Sequence, residues 1–220
     1  MSQNTLSTLS TKRILISLLL IISIPAVTYG VNLFADQFNL SEAFAFNLAG
    51  CLLIFYDWNL FGTHYNRSKY NIKTFFIYFL IGIALIGLWL QAGIHFLQTG
   101  PVLPEGTSLI RFGYGRPMMM IAYSFLQAVV ISIGFKVLTD HMDVRHRELQ
   151  SILLSGFLFG LLYTLLFSFP FELTAFVRSL LYNVVLTAIL SYLYNQSRSF
   201  MPGLTAFTVI YFLAMMAELI

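Results

Sequence analysis

The sequence predicts an all-α bundle of membrane-spanning helices. Of its 220 residues, 58% are hydrophobic and only 10% are Asp, Glu, Lys or Arg. One soluble core of this size cannot bury so much apolar surface. The apolar residues also form about seven long runs, each able to cross a hydrocarbon layer of about 30 Å as a helix. We therefore predict a disordered cytoplasmic tail over residues 1–11 and a single transmembrane domain over residues 12–220.

The predicted spans follow from the uncharged runs and from the prolines near their ends. The first run is longer than the apolar part of a signal peptide, so we expect an uncleaved span. Pro170 is expected to stop the fifth helix, and Pro202 is tolerated in the first turn of the seventh. The spans are predicted at residues 14–34, 41–61, 74–97, 117–139, 149–171, 173–195 and 200–219, with loops between them.

Positive charge predicts the orientation of these spans. The chain has 12 Lys and Arg against 9 Asp and Glu, and the basic residues lie beside apolar runs. If the N-terminus is cytoplasmic, most of them fall on the inner side, as the positive-inside rule requires. We expect a multi-pass protein of the cell membrane, with the bilayer as its medium and residues 98–116 outside. Nucleic-acid binding is not expected.

No cofactor or metal is predicted. The single Cys51 lies in an apolar run, so the chain forms no intramolecular disulfide and no cysteine-based metal site. An inner segment, residues 141–148, carries two His, two Asp or Glu and two interleaved Arg. This mixture is more typical of a solvated loop than of a metal site.

The two apolar runs between Ser124 and Phe167, joined by a charged turn, have the spacing of a known enzyme core. They resemble the helical hairpin of the CPBP family of intramembrane proteases (the CAAX-protease and bacteriocin-processing, or Abi, group). That family carries Glu-Glu-x-x-x-Arg and then Phe-x-x-x-His. At the corresponding positions this chain has neither the carboxylates nor the histidine; it reads Ile131, Ser132 and Lys136, then Phe159 and Tyr163.

The C-terminal part extends the resemblance to residues 117–215. The turn at residues 194–202 is similar to the turn before the family's His-x-x-x-Asn helix, whose two polar positions fall here at Phe207 and Tyr211. In the family, a glutamate activates water and the histidines and asparagine assist. Hydrolysis needs such groups to activate water and hold the oxyanion, and Ile131 and Phe207 can do neither.

Ser132 and Lys136 are one helical turn apart, which is a weak signal for a Ser/Lys catalytic pair. The alternative is that Ser132 is a small side chain packed between helices. Ile131, Ser132, Tyr163 and Phe207 are expected to point into one shared space, because helix phase rather than side-chain identity directs them.

Other polar residues in the apolar runs are candidates for a site. Asp57 and Lys136 lie near the inner ends of their spans, and we predict that they form an ion pair. The alternative is that Lys136 snorkels to the interface and Asp57 is solvated. Further polar candidates, for which structural or interface roles are the alternative, are Gln91, His95, Arg178 and Asn183.

The leading functional hypothesis is a non-catalytic CPBP-like protein, in effect a pseudoenzyme, that binds another membrane protein or a peptide. The resemblance makes bacteriocin immunity or an accessory role the natural subclasses. One alternative is an active CPBP-type intramembrane endopeptidase. Another is a small-solute transporter component, for which His95 and Arg178 are the relevant residues and a polar site with broken helices is required.

Overall fold

A computed structural model of the chain describes residues 10–35, 38–98, 116–141, 144–168 and 170–217, and every element in these ranges is helical. This confirms the predicted all-α class. A π-helical turn, Gly93–Leu97, extends the fifth helix. In chain order the helices are α1 Thr11–Ile22, α2 Ile24–Ala35, α3 Phe38–Tyr56, α4 Trp58–Tyr70, α5 Ile72–Ala92, α6 Arg116–His141, α7 Val144–Phe167, α8 Leu173–Ser197 and α9 Met201–Ala217.

The described helices include five segments long and apolar enough to cross a membrane, or six if α3 and α4 count as one bent span. The expected number was seven. The difference arises at α3, which is broken at its end, and at α9, whose 17 residues rise only about 25 Å. The five segments are Thr11–Ala35, Ile72–Leu97, Met120–His141, Glu148–Phe167 and Leu173–Ser197.

The second predicted span, residues 41–61, ends earlier than expected. The chain bends by 82° between α3 and α4, with Asp57 between the two helices. Residues 64–70, expected to be part of a loop, belong to α4 instead. This helix leaves Trp58, Tyr65 and Tyr70 exposed, and aromatic residues of this kind are typical of a membrane interface.

Helix α6 is the centre of the bundle. In its most apolar stretch 83% of the residues are buried, against 17% for Ile72–Leu97. It packs against α1, α3, α7 and α9. Side chains on every face of α6 between residues 126 and 139 therefore lie inside the protein, and several of the buried polar groups described below belong to this helix.

The most extensive helix–helix interface joins α7 to α8. Gly156 and Gly160 are one turn apart on α7. A Cβ atom on Gly156 would lie 2.9 Å from the Cα atom of Val184, and one on Gly160 would lie 2.9 Å from the Cα atom of Leu180. This spacing of two small residues lets the helix backbones approach closely, and it fixes the position of Tyr163 one turn further on.

Parts of the sequence predictions lie outside the described residues. They include residues 1–9 of the predicted tail and residues 99–115 of the predicted outer loop. The cytoplasmic position of the N-terminus stays a prediction.

Candidate functional site

The positions singled out by the family resemblance lie inside the bundle. Each is no more than 2% exposed, as expected for residues that helix phase directs inward. These positions are Ile131, Ser132, Lys136, Phe159, Tyr163, Phe207 and Tyr211.

Side chains from the second motif (Tyr163) and the third motif (Phe207 and Tyr211) lie near one another. The rings of Phe207 and Tyr211 stack with their centroids 3.8 Å apart, which confirms that they share a face of α9. The hydroxyl oxygens of Tyr211 and Tyr182 are 3.4 Å apart. Tyr163 is also close enough to Tyr211 for an electrostatic interaction. Aromatic rings and hydroxyls therefore occupy the positions at which the family resemblance predicts histidine and asparagine.

Ser132 lines a different space. It faces a void of about 10 Å³ together with Tyr194 and six other residues, and Ile131, Tyr163 and Phe207 are not among them. Ser132 therefore does not point into one space shared with the other three side chains, as the sequence analysis predicted. A void of this size has room for about one water molecule at most, and a peptide does not fit.

Lys136 is paired, but not with the partner that the sequence analysis predicted. Its Nζ donates to the Asp140 carboxylate one turn along α6 and lies 5.4 Å from the centroid of the Tyr194 ring. Asp57 instead accepts a 2.7 Å hydrogen bond from the Ser17 hydroxyl. The predicted Asp57–Lys136 ion pair is wrong. The Asp140 carboxylate, four residues from Lys136 on the same face of α6, binds the ammonium instead.

His64 lies beside this pair. It is completely buried, and its ring packs on Phe200 with centroids 4.4 Å apart and on Tyr194 at 5.8 Å. Neither ring nitrogen has a hydrogen-bond partner among the described residues. We call Lys136, Asp140, Tyr194 and His64 the ion-pair cluster. Its Lys136 ammonium is bound to Asp140, so the structure does not assemble the Ser132/Lys136 catalytic pair.

The remaining sequence candidates do not converge. Gln91, His95 and Arg178 are exposed, and Arg178 donates to the Gln98 side chain at 3.3 Å. Asn183 is buried, but its amide donates to the backbone carbonyl of Ser179 one turn back in the same helix, at 2.8 Å. The transporter hypothesis relied on His95 and Arg178, and both side chains are exposed.

A second polar cluster escaped the sequence analysis. The hydroxyl of Tyr123 on α6 donates to Glu42 Oε1 on α3 at 2.7 Å, and the Gln127 amide donates to the Tyr163 hydroxyl at 3.0 Å. All four are buried. We call them the carboxyl cluster. A signal was available: Glu42 is an acidic residue in an apolar helix, and Tyr123 and Gln127 lie on one face of α6.

The comparisons with known proteins give no family for this chain. No protein-family profile, curated protein sequence or solved structure matches it. Among the described residues, no group of three or more His, Cys, Asp or Glu side chains is placed to hold a metal ion.

Proposed function

We propose that this chain is a non-catalytic multi-pass membrane protein that binds another membrane protein or a peptide, with the architecture of a CPBP intramembrane protease that has lost its catalytic groups. The observation that carries the proposal is the closed interior at the motif positions. Ile131, Tyr163 and Phe207 are buried where the family resemblance expects acid, base and oxyanion-binding groups.

Two further observations support the absence of proteolysis. Peptide hydrolysis requires a water molecule next to an activating group, and the void beside Ser132 measures about 10 Å³. Lys136, the nearest candidate to activate Ser132, is bound to Asp140. An ammonium that donates to a carboxylate has no free lone pair with which to accept the Ser132 proton.

Because the void beside Ser132 is small, we expect the partner on the outer surface and not at this position inside the bundle. Helix α5 is the most exposed of the spans, and large apolar side chains such as Phe76, Leu80 and Leu88 cover its free face. Within the roles associated with the family, bacteriocin immunity and accessory functions are those that need contact with a membrane partner but no catalysis.

The catalytic half of the proposal is tested with the full chain in lipid vesicles and a library of quenched fluorogenic peptides. We expect no cleavage above that of empty vesicles. Cleavage that disappears in Ser132→Ala but persists in Ser155→Ala, a matched serine on α7 that is also buried, would establish an active endopeptidase and overturn the proposal.

The binding half is tested by photo-crosslinking in native membranes. A photoreactive residue replaces Leu80 on α5, and the matched control carries it at the exposed Phe157 on α7. We expect one discrete protein adduct at Leu80 and lipid adducts at Phe157. Lipid adducts alone at both positions, repeated at Phe76 and Leu88, would contradict a partner on α5.

A further inference from the structure

The carboxyl cluster contains an acid with no cationic partner among the described residues. Glu42 is completely buried, and its Oε1 accepts one hydrogen bond, from the Tyr123 hydroxyl at 2.7 Å. Its Oε2 has no hydrogen-bond partner among the described residues. An ionised carboxylate buried with one neutral donor is expensive in any protein interior and more so in a membrane.

Among the described side chains, the groups near Glu42 on the helices that pack against α3 are neutral. Helix α6 supplies Tyr123, and Tyr163 on α7 lies within electrostatic range. The Tyr29 hydroxyl on α2 is turned to the backbone of Leu165, at 2.9 Å. The nearby charges of α1 and α4 lie toward the other end of α3, around Asp57, which is 15 residues or about 22 Å away along a helix.

A hydrogen-bond count at the Glu42 carboxyl leaves one oxygen without a donor among the described residues. Glu42 Oε2 lacks a partner, and the Tyr123 hydroxyl hydrogen is already used by Glu42 Oε1. One proton added to Oε2 converts an acceptor into a donor and removes the buried charge at the same time.

We propose that Glu42, Tyr123, Gln127 and Tyr163 form a proton-binding site inside the bundle, with the proton carried by the Glu42 carboxyl. Glu42 lies in the fifth position of α3, only about 6 Å along the axis from the start of the helix. The site is therefore close to one end of the bundle, from which water can supply and remove the proton. The inference does not depend on the partner proposed above.

The test uses the full chain in phosphatidylcholine vesicles and infrared spectroscopy across a pH titration. At neutral pH we expect the carbonyl band of a protonated carboxylic acid, shifted in D₂O and lost on strong alkalinisation. Glu42→Gln, which keeps the side-chain shape, should abolish the band. Asp57→Asn, a matched change at the other buried acid of the α3–α4 region, should leave it in place.

Chemical labelling gives a second readout, which also serves if Glu42→Gln does not fold. An apolar carbodiimide adds to a protonated carboxyl: the acid proton goes to one nitrogen, the carboxylate oxygen bonds to the central carbon, and the acyl group then moves to nitrogen as a stable acylurea. We expect this adduct on Glu42 by mass spectrometry, and none from a water-soluble carbodiimide.

Three results would overturn the proposal. One is the absence of the carbonyl band at neutral pH in the native chain. Another is a band that survives in Glu42→Gln. The third is suppression of the band and of the carbodiimide adduct by sodium ions at constant pH, which would identify a cation site built from the same oxygen atoms.

Discussion

One buried acid lies on α6 and another contacts it, and the bundle accommodates them in opposite ways. In the ion-pair cluster Asp140 is bound by Lys136, beneath an aromatic ring. In the carboxyl cluster the one partner of Glu42 among the described residues is the neutral hydroxyl of Tyr123. The α6 members Tyr123 and Lys136 are 13 residues apart, or about 20 Å along the helix. An acid in this bundle is thus either paired within one helical turn or surrounded by neutral hydroxyls.

The largest loss of stability is expected from removing one ion of the Lys136–Asp140 pair. Asp140→Asn leaves the buried Lys136 ammonium without its counter-ion, and we expect a loss of about 3 kcal/mol in the free energy of unfolding. The measurement is an SDS titration in mixed micelles. The double variant Lys136→Met/Asp140→Leu should recover most of the loss, because two apolar side chains replace two compensated charges.

The opposite result would be equally clear. If Asp140→Asn unfolds at the same SDS fraction as the native chain, Lys136 reaches water by extending toward the interface. The two clusters would then differ in solvent access and not in how they compensate charge. Lys69→Met, at an exposed lysine of α4, is the matched control and should have no measurable effect.

The second prediction concerns the hydrogen bond between Gln127 and Tyr163 in the carboxyl cluster. Tyr163→Phe keeps the stacking on Phe46 and Phe167 but removes the hydroxyl that accepts from Gln127. We expect a loss of about 1 kcal/mol, well below that of Asp140→Asn. A double-mutant cycle with Gln127→Leu measures the pair, and we expect the two effects to be clearly non-additive.

If the Tyr163→Phe and Gln127→Leu effects simply add, the two groups are independent and the carboxyl cluster is not one hydrogen-bonded unit. The control is Tyr78→Phe, whose hydroxyl bonds the Gln196 side chain at the exposed surface. Its effect should be smaller, because water replaces the lost partner there.

The sequence predicted the helical class and several helix ends. Helix α7 ends at Phe167, shortly before Pro170, and α9 begins at Met201, beside Pro202. Proline restricts the local backbone, so these boundaries depend on neighbouring residues alone. The motif positions lie inside the bundle, because the 3.6-residue period decides which side chains share a face. The prediction of one shared space does not hold for Ser132, which lines a separate void.

What the sequence did not predict depends on contacts between distant segments. The 82° bend after Tyr56 places Asp57 against Ser17, 40 residues earlier, and no local pattern specifies that contact. Glu42 was overlooked although it was visible as an acid in an apolar run. Its partner Tyr123 lies 81 residues away. In the sequence alone, Tyr123 cannot be distinguished from the other aromatic residues of the core.

The smallest effect is expected at His64. Its ring already packs as an aromatic side chain on Phe200, and its two nitrogens gain no hydrogen bond from the described residues. His64→Phe removes polar atoms that have lost their water and keeps most of the ring contacts. Replacing an unpaired buried polar group by an apolar one of similar shape is nearly neutral or stabilising. We therefore expect a change within about 0.5 kcal/mol in the SDS titration, of either sign.

His95→Phe, at an exposed ring, is the matched control. A loss of more than about 1 kcal/mol confined to His64→Phe would mean that a nitrogen holds a bound water or ligand. The ion-pair cluster, and not the carboxyl cluster, would then be the better candidate for a binding site.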